Sequence, residues 1–337
     1  MSRSLLELSA CRIRSDKVNA RNNRNNIVIA CPNLSLDRTM RVEELALGRV
    51  HRSVQSDTRG GGKGVNIARA LCHMDRESLV VGLAGGRTGQ AVVNLLQDEG
   101  LSPIAVDSPG ETRSCLSVVS DGSMTVFNES GPRLDDSVWS RYEAEVLEHL
   151  TEGDLFVCSG SFQPGTPDDA AARLVAKARG RGCLTVCDTS RAHLTRALDA
   201  RPDIIKPNLP EALGVLGEAD DEPVEAGAGA LHRARDAALR LLERGPHIVI
   251  VSAGEAGLVY ATEGNAHAVE APRVEVLNPV GAGDCLVAGV VLELGRGASL
   301  HDALMTGTAM GAAGCETFAA GAVDPDRVRE LRAQLSP

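Results

Sequence analysis

The sequence predicts an α/β domain: a mostly parallel central sheet flanked by helices, with a small β lid. Three observations carry that expectation. Apolar runs of strand length recur along the chain, separated by stretches with helical spacing. The apolar fraction is 43% while aromatics make up 2%, so the core must be Val, Leu, Ile and Ala, as in parallel strands buried on both faces. Two regions break the strand–helix alternation and read as additional β structure.

Taken in order, residues 1–26 are polar and end in Arg21-Asn22-Asn23-Arg24-Asn25-Asn26. Basic charge is present without the apolar stretch of about 7–15 residues that a signal peptide needs. This segment reads as a mobile N-terminal extension, and 27–337 as one domain. Ile27–Cys31 is the first buried strand. Similar runs follow at Leu79–Leu83, Asp154–Cys158, Leu184–Cys187, Asp203–Ile205 and His247–Ser252. Helix-like stretches lie between them at Val65–Cys72, Gly89–Glu99, Asp168–Arg179, Ala230–Glu243 and Ser299–Ala313. Thr39–Ser56 alternates apolar and polar residues. Thr112–Glu129 reads as a hairpin, Ser114–Val119 and Met124–Asn128 about an Asp121-Gly122 turn. These two regions, about 39–56 and 112–129, are the expected lid. Residues 217–229 are acidic and Gly-rich and read as a solvated loop.

The formal charge of -10 argues against a general nucleic-acid binder, which needs a basic face. The nine cysteines are scattered, with no zinc-type spacing, and read as reduced thiols of a cytoplasmic protein. No apolar run approaches about 18 residues, so no membrane partner is expected. There is no GxxxxGK[ST], no GxGxxG after a strand, no GxSxG and no HExxH. The P-loop, dinucleotide, serine-hydrolase and zincin classes therefore lack their machinery.

Asn278-Pro279-Val280-Gly281-Ala282-Gly283-Asp284 is the most informative segment. A Gly-Ala-Gly turn lets backbone N–H groups approach an anion. The apolar run that follows, Cys285–Leu292, reads as a helix whose first turn favours negative charge. Asp284 would stand beside that anion, placed to take a proton. A cradle and a base are the minimum equipment for phosphoryl transfer to a hydroxyl. Gly60-Gly61-Gly62-Lys63-Gly64-Val65-Asn66 is the second such segment: glycines for close approach, a Lys charge for a phosphate, and Asn66 on the first helical turn.

Three further segments follow predicted strands, where ligands of open α/β sheets sit. Asp37, in Asn33–Asp37, reads as a turn residue or as a group that holds sugar hydroxyls. Asn208 and Glu211, in Lys206–Glu211, read as a capping box or as groups facing nucleotide phosphates and Mg²⁺ through water. Ser252–Gly257 reads as a tight turn or as the floor of a nucleotide site.

These pieces, in this order, resemble the PfkB carbohydrate kinase family of the ribokinase-like superfamily. The likeness rests on Gly61–Ala70 and Asn278–Gly289. Asn33–Asp37, Ser159-Gly160-Ser161, Lys206–Glu211 and Ser252–Gly257 support it, and it spans Ile27 to the C-terminus. Lys63 in the glycine motif, Thr112-Arg113-Ser114 and Asn128–Pro132 look most like the branch that phosphorylates sugar phosphates. The resemblance implies a 1-phosphofructokinase first and a tagatose-6-phosphate kinase next, with fructose 6-phosphate also open. A kinase of an unphosphorylated sugar or nucleoside and a non-catalytic nucleotide-sensing module are the other readings.

The resemblance also implies roles. Asp284 would accept the hydroxyl proton, and the amides of Gly281, Ala282 and Gly283 would hold the transferred phosphoryl group. Asp37, Gly61, Gly62 and Asn66 would hold sugar hydroxyls, and Lys63 and Arg113 the substrate's own phosphate. Ser252, Gly254 and Gly257 would line the ATP site, with Mg²⁺ bridging the phosphates. The lid would mediate a homodimer. Pro279 stands where the family often has Ser or Thr, which removes a hydroxyl and an N–H from the motif.

Overall fold

The computed structural model describes residues 26–120, 123–218 and 227–335. In chain order the strands are β1 Ile27–Cys31, β2 Ser35–Arg41, β3 Gln55–Gly61, β4 Leu79–Ala84, β5 Ile104–Asp107, β6 Arg113–Ser120, β7 Ser123–Asn128, β8 Leu155–Ser159, β9 Leu184–Asp188, β10 Ile204–Ile205, β11 Ile248–Ser252, β12 Leu258–Thr262 and β13 Asn265–Val269. The helices are α1 Lys63–His73, α2 Gly86–Asp98, α3 Asp136–Glu148, α4 Ala170–Gly180, α5 Arg191–Ala197, α6 Leu209–Leu216, α7 Ala228–Leu242, α8 Ala282–Leu294, α9 Leu300–Cys315 and α10 Pro325–Leu335.

Nine strands form the main sheet, in the order β13-β12-β11-β10-β9-β8-β1-β4-β5. Every pairing from β11 across to β5 is parallel, while β12 and β13 close the other edge antiparallel. β1 lies between β4 and β8, with Ile29 level with Val80 and Val157. Both faces of β1 are covered, which is why its sequence is continuously apolar. Val28 and Ala30 belong to one apolar core with Trp139, Tyr142 and Phe156. Ile27, Ile29 and Cys31 point the other way, into a core shared with α1, α8 and α9.

The second sheet has four strands in the order β3-β2-β6-β7. The predicted lid is corrected in extent. β2 begins at Ser35, immediately after β1, and pairs antiparallel with β3 and parallel with β6. Residues 42–54 carry no strand. The first strand was hidden because Ser35, Asp37 and Arg38 make it polar, and the last because Gly60 and Gly61 end β3. The hairpin itself runs in the predicted register, with Val119 opposite Met124. Its Asp121-Gly122 turn, residues 1–25 and most of the acidic loop lie outside the described residues.

The six predicted strands of the main sheet fall on β1, β4, β8, β9, β10 and β11. β5, β12 and β13 were not anticipated. β5 has only four residues, and β13 (Asn265-Ala266-His267-Ala268-Val269) mixes polar groups into a half-exposed edge. Among the described residues no helix is long and apolar enough to cross a membrane. Seven of the nine cysteines are free thiols: Cys31, Cys115, Cys158, Cys183, Cys187, Cys285 and Cys315.

Candidate active site

The C-terminal ends of β1, β8, β9, β10 and β11 lead into one cleft of about 810 Å³, at Ser35, Ser161, Ser190, Lys206 and Ser252. The small sheet supplies one wall through Ser35, Asp37, Arg113 and Asn128. Strand ends and helix starts of the main domain supply the other. Of the residues singled out in the sequence, Asp37, Gly62, Lys63, Asn66, Arg113, Asn208, Glu211, Ser252, Gly254, Gly257, Gly281, Ala282, Gly283 and Asp284 line this one cavity. Gly61 does not. It lies behind Asp37, and a Cβ on Gly61 would fall 2.1 Å from the Asp37 carboxylate. Gly61 therefore lets that carboxylate lie flat on β3, where Ser35 Oγ donates to Asp37 Oδ1 at 2.6 Å.

At the opposite end the heptad forms the turn that opens α8. Asn278 is 1% exposed and braces the turn: its Nδ2 donates to Phe318 O and its Oδ1 accepts from Val280 N. Gly281 is the N-cap, at φ 86°, and no side chain caps the helix. A Cβ there would meet the Gly321 nitrogen at 2.8 Å, so both the left-handed backbone and the packing require glycine. The first-turn amides are left to face the cleft. The Ala282 amide is partly engaged, donating to Pro279 O at 3.3 Å. Gly281 and Gly283, on either side of it, line the cleft as well.

Asp284, on the first turn of α8, is 5% exposed. Burial, reinforced by the nearby Asp188 carboxylate, pushes its carboxyl up to about 6. Lys63, the Asn66 hydrogen bond and Lys206 pull it partly back. A carboxylate that titrates near neutrality is suited to accepting a hydroxyl proton. Asn66 Nδ2 donates to Asp284 Oδ2 at 2.8 Å, and Asn66 Oδ1 accepts from Arg69 Nη1 at 2.9 Å. Both ends of this amide are engaged, and the residue is 4% exposed. Asn66 thus bonds the Asp284 carboxylate while lining the cleft, with one bond at each end of its amide.

Lys63 lines the cleft between two carboxylates. Its ammonium lies 3.6 Å from Asp188 Oδ1 and 3.5 Å from Glu211 Oε1. Burial would lower its pKa, but Asp188, Glu211 and Asp284 together outweigh that and raise it, so Lys63 is firmly charged. Arg113 lies elsewhere on the rim of the cleft. Its Nη2 donates to Asn33 O at 3.1 Å and its Nη1 to Glu129 O at 3.3 Å, and its buried Nε has no partner among the described residues. These bonds hold the guanidinium against the cleft with donors to spare.

Asn208 and Glu211 form the predicted capping box. Glu211 N donates to Asn208 Oδ1 at 2.8 Å and Asn208 N to Glu211 Oε2 at 2.9 Å. Glu211 Oε1 stays on the cleft side, against Lys63. Ser252, Gly254 and Gly257 close β11 beside it, and Asn208 bridges to Ser252.

Two charged residues escaped the sequence reading. Asp188 ends β9, is fully buried, and lies 3.4 Å from Lys206 Nζ as well as beside Lys63. Neither of its oxygens has a hydrogen-bond partner among the described residues. Lys206 is 3% exposed, and a Cβ on Gly283 would stand 3.2 Å from its ammonium, so Lys206 overhangs the start of α8. The signal for both was the one used for Asp37: a charged residue at the C-terminal end of a predicted parallel strand.

The model of the pfkB family carbohydrate kinases matches residues 28–327. The chain belongs to the pfkB family of carbohydrate kinases. Its fold is that of phosphofructokinase-2 from Escherichia coli, solved in complex with potassium: 28% identity, TM-score 0.83, over 93% of this chain and all of that one. The same enzyme in complex with fructose-6-phosphate aligns at 26% identity with a TM-score of 0.81, again over 93% of this chain and all of that one. A possible 1-phosphofructokinase from Thermotoga maritima shares the fold at 24% identity and TM-score 0.78, over 92% of this chain and 98% of that one. A pfkB sugar kinase is a phosphotransferase, and the cleft of this chain sets a buried carboxylate beside an uncapped helix start.

Proposed function

We propose that this chain transfers the γ-phosphoryl group of ATP to a hydroxyl of a ketohexose phosphate, with fructose 1-phosphate as acceptor and fructose 1,6-bisphosphate as product. The observation that carries the proposal is the meeting, in one cleft, of a buried carboxylate raised to about 6 with an uncapped glycine-lined helix start. In this reading the sugar lies on the small-sheet wall, with Asp37 accepting from its hydroxyls. Arg113 pairs with the phosphate it already carries. Asp284 takes the proton of the attacking hydroxyl as its oxygen bonds to phosphorus, and the bond from phosphorus to the ADP oxygen breaks. The Gly281 and Gly283 amides and the Lys206 ammonium meet the charge that spreads over the transferred group.

The nucleotide would run from α8 along Ser252, Gly254 and Gly257. Among the described residues no cluster of three or more His, Cys, Asp or Glu could hold a metal by itself. Mg²⁺ keeps much of its water and binds chiefly through nucleotide phosphates, so it needs few protein ligands. Glu211, with one oxygen on the cleft, would hold such an ion through water, and the ion would neutralise phosphate charge. We further read the small sheet as a lid and as the contact face of a homodimer. Phe127 and Val126 on β7 are 57% and 41% exposed, and Leu47 and Val50 in the adjoining loop are 100% and 89% exposed. Sedimentation of the wild type and of Phe127→Asp tests this, a wild-type monomer refuting it.

ADP release measured with fructose 1-phosphate, fructose 6-phosphate, tagatose 6-phosphate and free fructose tests the substrate. Fructose 1-phosphate should give the highest kcat/KM. A preference for free fructose would overturn the role of Arg113, and absence of turnover with all four would overturn the kinase reading. The fructose-6-phosphate complex of the Escherichia coli neighbour makes that sugar the main competitor.

A further inference from the structure

Asn66 presents a choice that its own shape does not settle. The amide has an oxygen end and a nitrogen end of nearly the same size. With nitrogen toward Asp284 the contact is a hydrogen bond; with oxygen toward it, two acceptors repel. Arg69, three residues later on the same face of α1, makes the choice. Its Nη1 donates to Asn66 Oδ1 at 2.9 Å, so only Nδ2 is left for Asp284.

The guanidinium is itself fixed from four directions. Nε donates to Glu99 Oε2 at 2.5 Å, Nη2 to Gly60 O at 2.6 Å, and Nη1 also to Ala320 O at 3.0 Å. Arg69 is 2% exposed. Its carbonyl partners come from the two segments that frame the reaction. Gly60 belongs to the glycine loop behind Asp37. Ala320 precedes Gly321, which packs on Asn66 and on Gly281 so closely that a Cβ on Gly321 would reach 2.7 Å from Asn66 Cα. Burying a guanidinium costs several kcal/mol unless every donor is used well. Here the donors are spent on the residue that orients the base and on the loops at either side of it.

We propose that Arg69 is a positioning residue for phosphoryl transfer: by holding the Asn66 oxygen it forces the Asn66 nitrogen onto Asp284 and fixes the carboxylate that takes the hydroxyl proton. This rests on the reading of Asp284 as the base. Loss of Arg69 lets the amide turn and withdraws the bond that stabilises ionised Asp284. The midpoint of Asp284 then rises, and the acid limb of kcat/KM moves to higher pH. The other charged and titratable groups facing Asp284 are Lys63 on α1, Asp188 at the end of β9, Lys206 after β10, Cys31 at the end of β1 and Cys285 on α8. None of them changes in the variants below.

The test uses the full-length chain as wild type, Asn66→Ala, Arg69→Lys and the double variant. Arg69→Lys keeps the charge and the Glu99 pair but loses the fork to Asn66. Steady-state kinetics with ATP and the best acceptor of the four-sugar panel give kcat, both KM values and the pH profile, and ¹³C NMR of labelled Asp carboxyls gives the Asp284 midpoint without any substrate. The expected result is a kcat loss of about 10- to 100-fold for Arg69→Lys with KM changed less than about twofold, and an upward move of both the acid limb and the NMR midpoint. The double variant should be no worse than Asn66→Ala alone. Losses that multiply, or a limb and midpoint that stay put, overturn the proposal. If Arg69→Lys does not fold, Glu99→Gln, which loosens the guanidinium without removing it, is read the same way, and a folded variant with no kcat loss overturns the proposal. Asp284→Asn separates the two levels. Wild-type turnover in that variant removes the base and this inference together, whereas an inactive Asp284→Asn combined with multiplying losses removes only the role of Arg69.

Discussion

Asp284 is ionised at a cost to the fold, and that cost can be measured. Its carboxyl is raised from the ordinary 3.8 to about 6, chiefly by burial. A gap of about two pH units, at about 1.4 kcal/mol each, is about 3 kcal/mol. The sign follows from proton binding. Between these two values the folded chain holds a proton that the unfolded chain has lost, so wild-type stability falls as pH rises through this window. Above it the full penalty applies. Asp284→Asn removes the charge and keeps an acceptor for Asn66, so at pH 8 the variant should be more stable than wild type by up to about 3 kcal/mol. At pH 5 the advantage should shrink to about half, because wild-type Asp284 is then mostly protonated. Turnover should drop by about 10³-fold or more, the worth of a positioned base. Denaturant unfolding at pH 5 and pH 8, with ADP release on the same samples, reads both effects. A variant less stable than wild type at pH 8, or an advantage that does not change with pH, would falsify the account of Asp284 as a buried, strained base.

With the same carboxyl near 6, kcat/KM should fall about tenfold per pH unit below that value, and a profile flat down to pH 4.5 would point to a different base. Arg113→Ala should raise KM for the sugar phosphate about 10- to 100-fold while leaving KM for ATP unchanged, the loss of one charge-assisted contact; an effect on ATP instead would move Arg113 to the other half of the site. Gly281→Ala places a methyl 2.8 Å from the Gly321 nitrogen on left-handed backbone, so it should cost about 1–3 kcal/mol in unfolding experiments and lower kcat, and a neutral result would mean the turn relaxes freely. Lys63→Met withdraws a charge that holds Asp284 down, so the acid limb should move upward, and a rise in KM for ATP rather than for the sugar phosphate would place the lysine with the nucleotide.

The main sheet was readable because its parallel strands are buried on both faces. Ile27–Cys31 and His247–Ser252 could hardly be anything but central strands, the first buried along its whole length and the second through its middle. The small sheet was half hidden. β2 carries Ser35 and Asp37 because one of its faces belongs to the cleft, so chemistry erased its hydrophobic pattern. The site was legible where a residue type and its local setting agree, as with Gly281 before an apolar helix, or Asn208 and Glu211 in a capping box. It was illegible where a role depends on a partner far along the chain. Asn66 meets Asp284 across 218 residues and Arg69 meets Ala320 across 251. No local pattern says that Asn66 faces the Asp284 carboxylate, or that Lys63 faces Asp188.

The placement of Lys63 follows from charge compensation. Asp188 is fully buried and has no hydrogen bond to either oxygen among the described residues, so nearby cations are what compensates its charge. Lys206 lies 3.4 Å and Lys63 3.6 Å from the same oxygen, Asp188 Oδ1. The two ammonium groups also flank Asp284 and offset part of the repulsion that Asp188 exerts on it. With Glu211, three carboxylates surround these two lysines, an excess of one negative charge in this cluster. A nucleotide phosphate brought to α8 would meet that excess, which explains why the cradle is made of backbone amides and a helix start, whose attraction does not depend on net side-chain charge. It also explains why a bound cation would favour the phosphate's arrival. Neutralising Asp188 as Asn should therefore tighten binding of the nucleotide without magnesium and lower the Asp284 midpoint, opposite in sign to removing Lys63. The two variants together separate the electrostatics of the cleft from any damage to its shape.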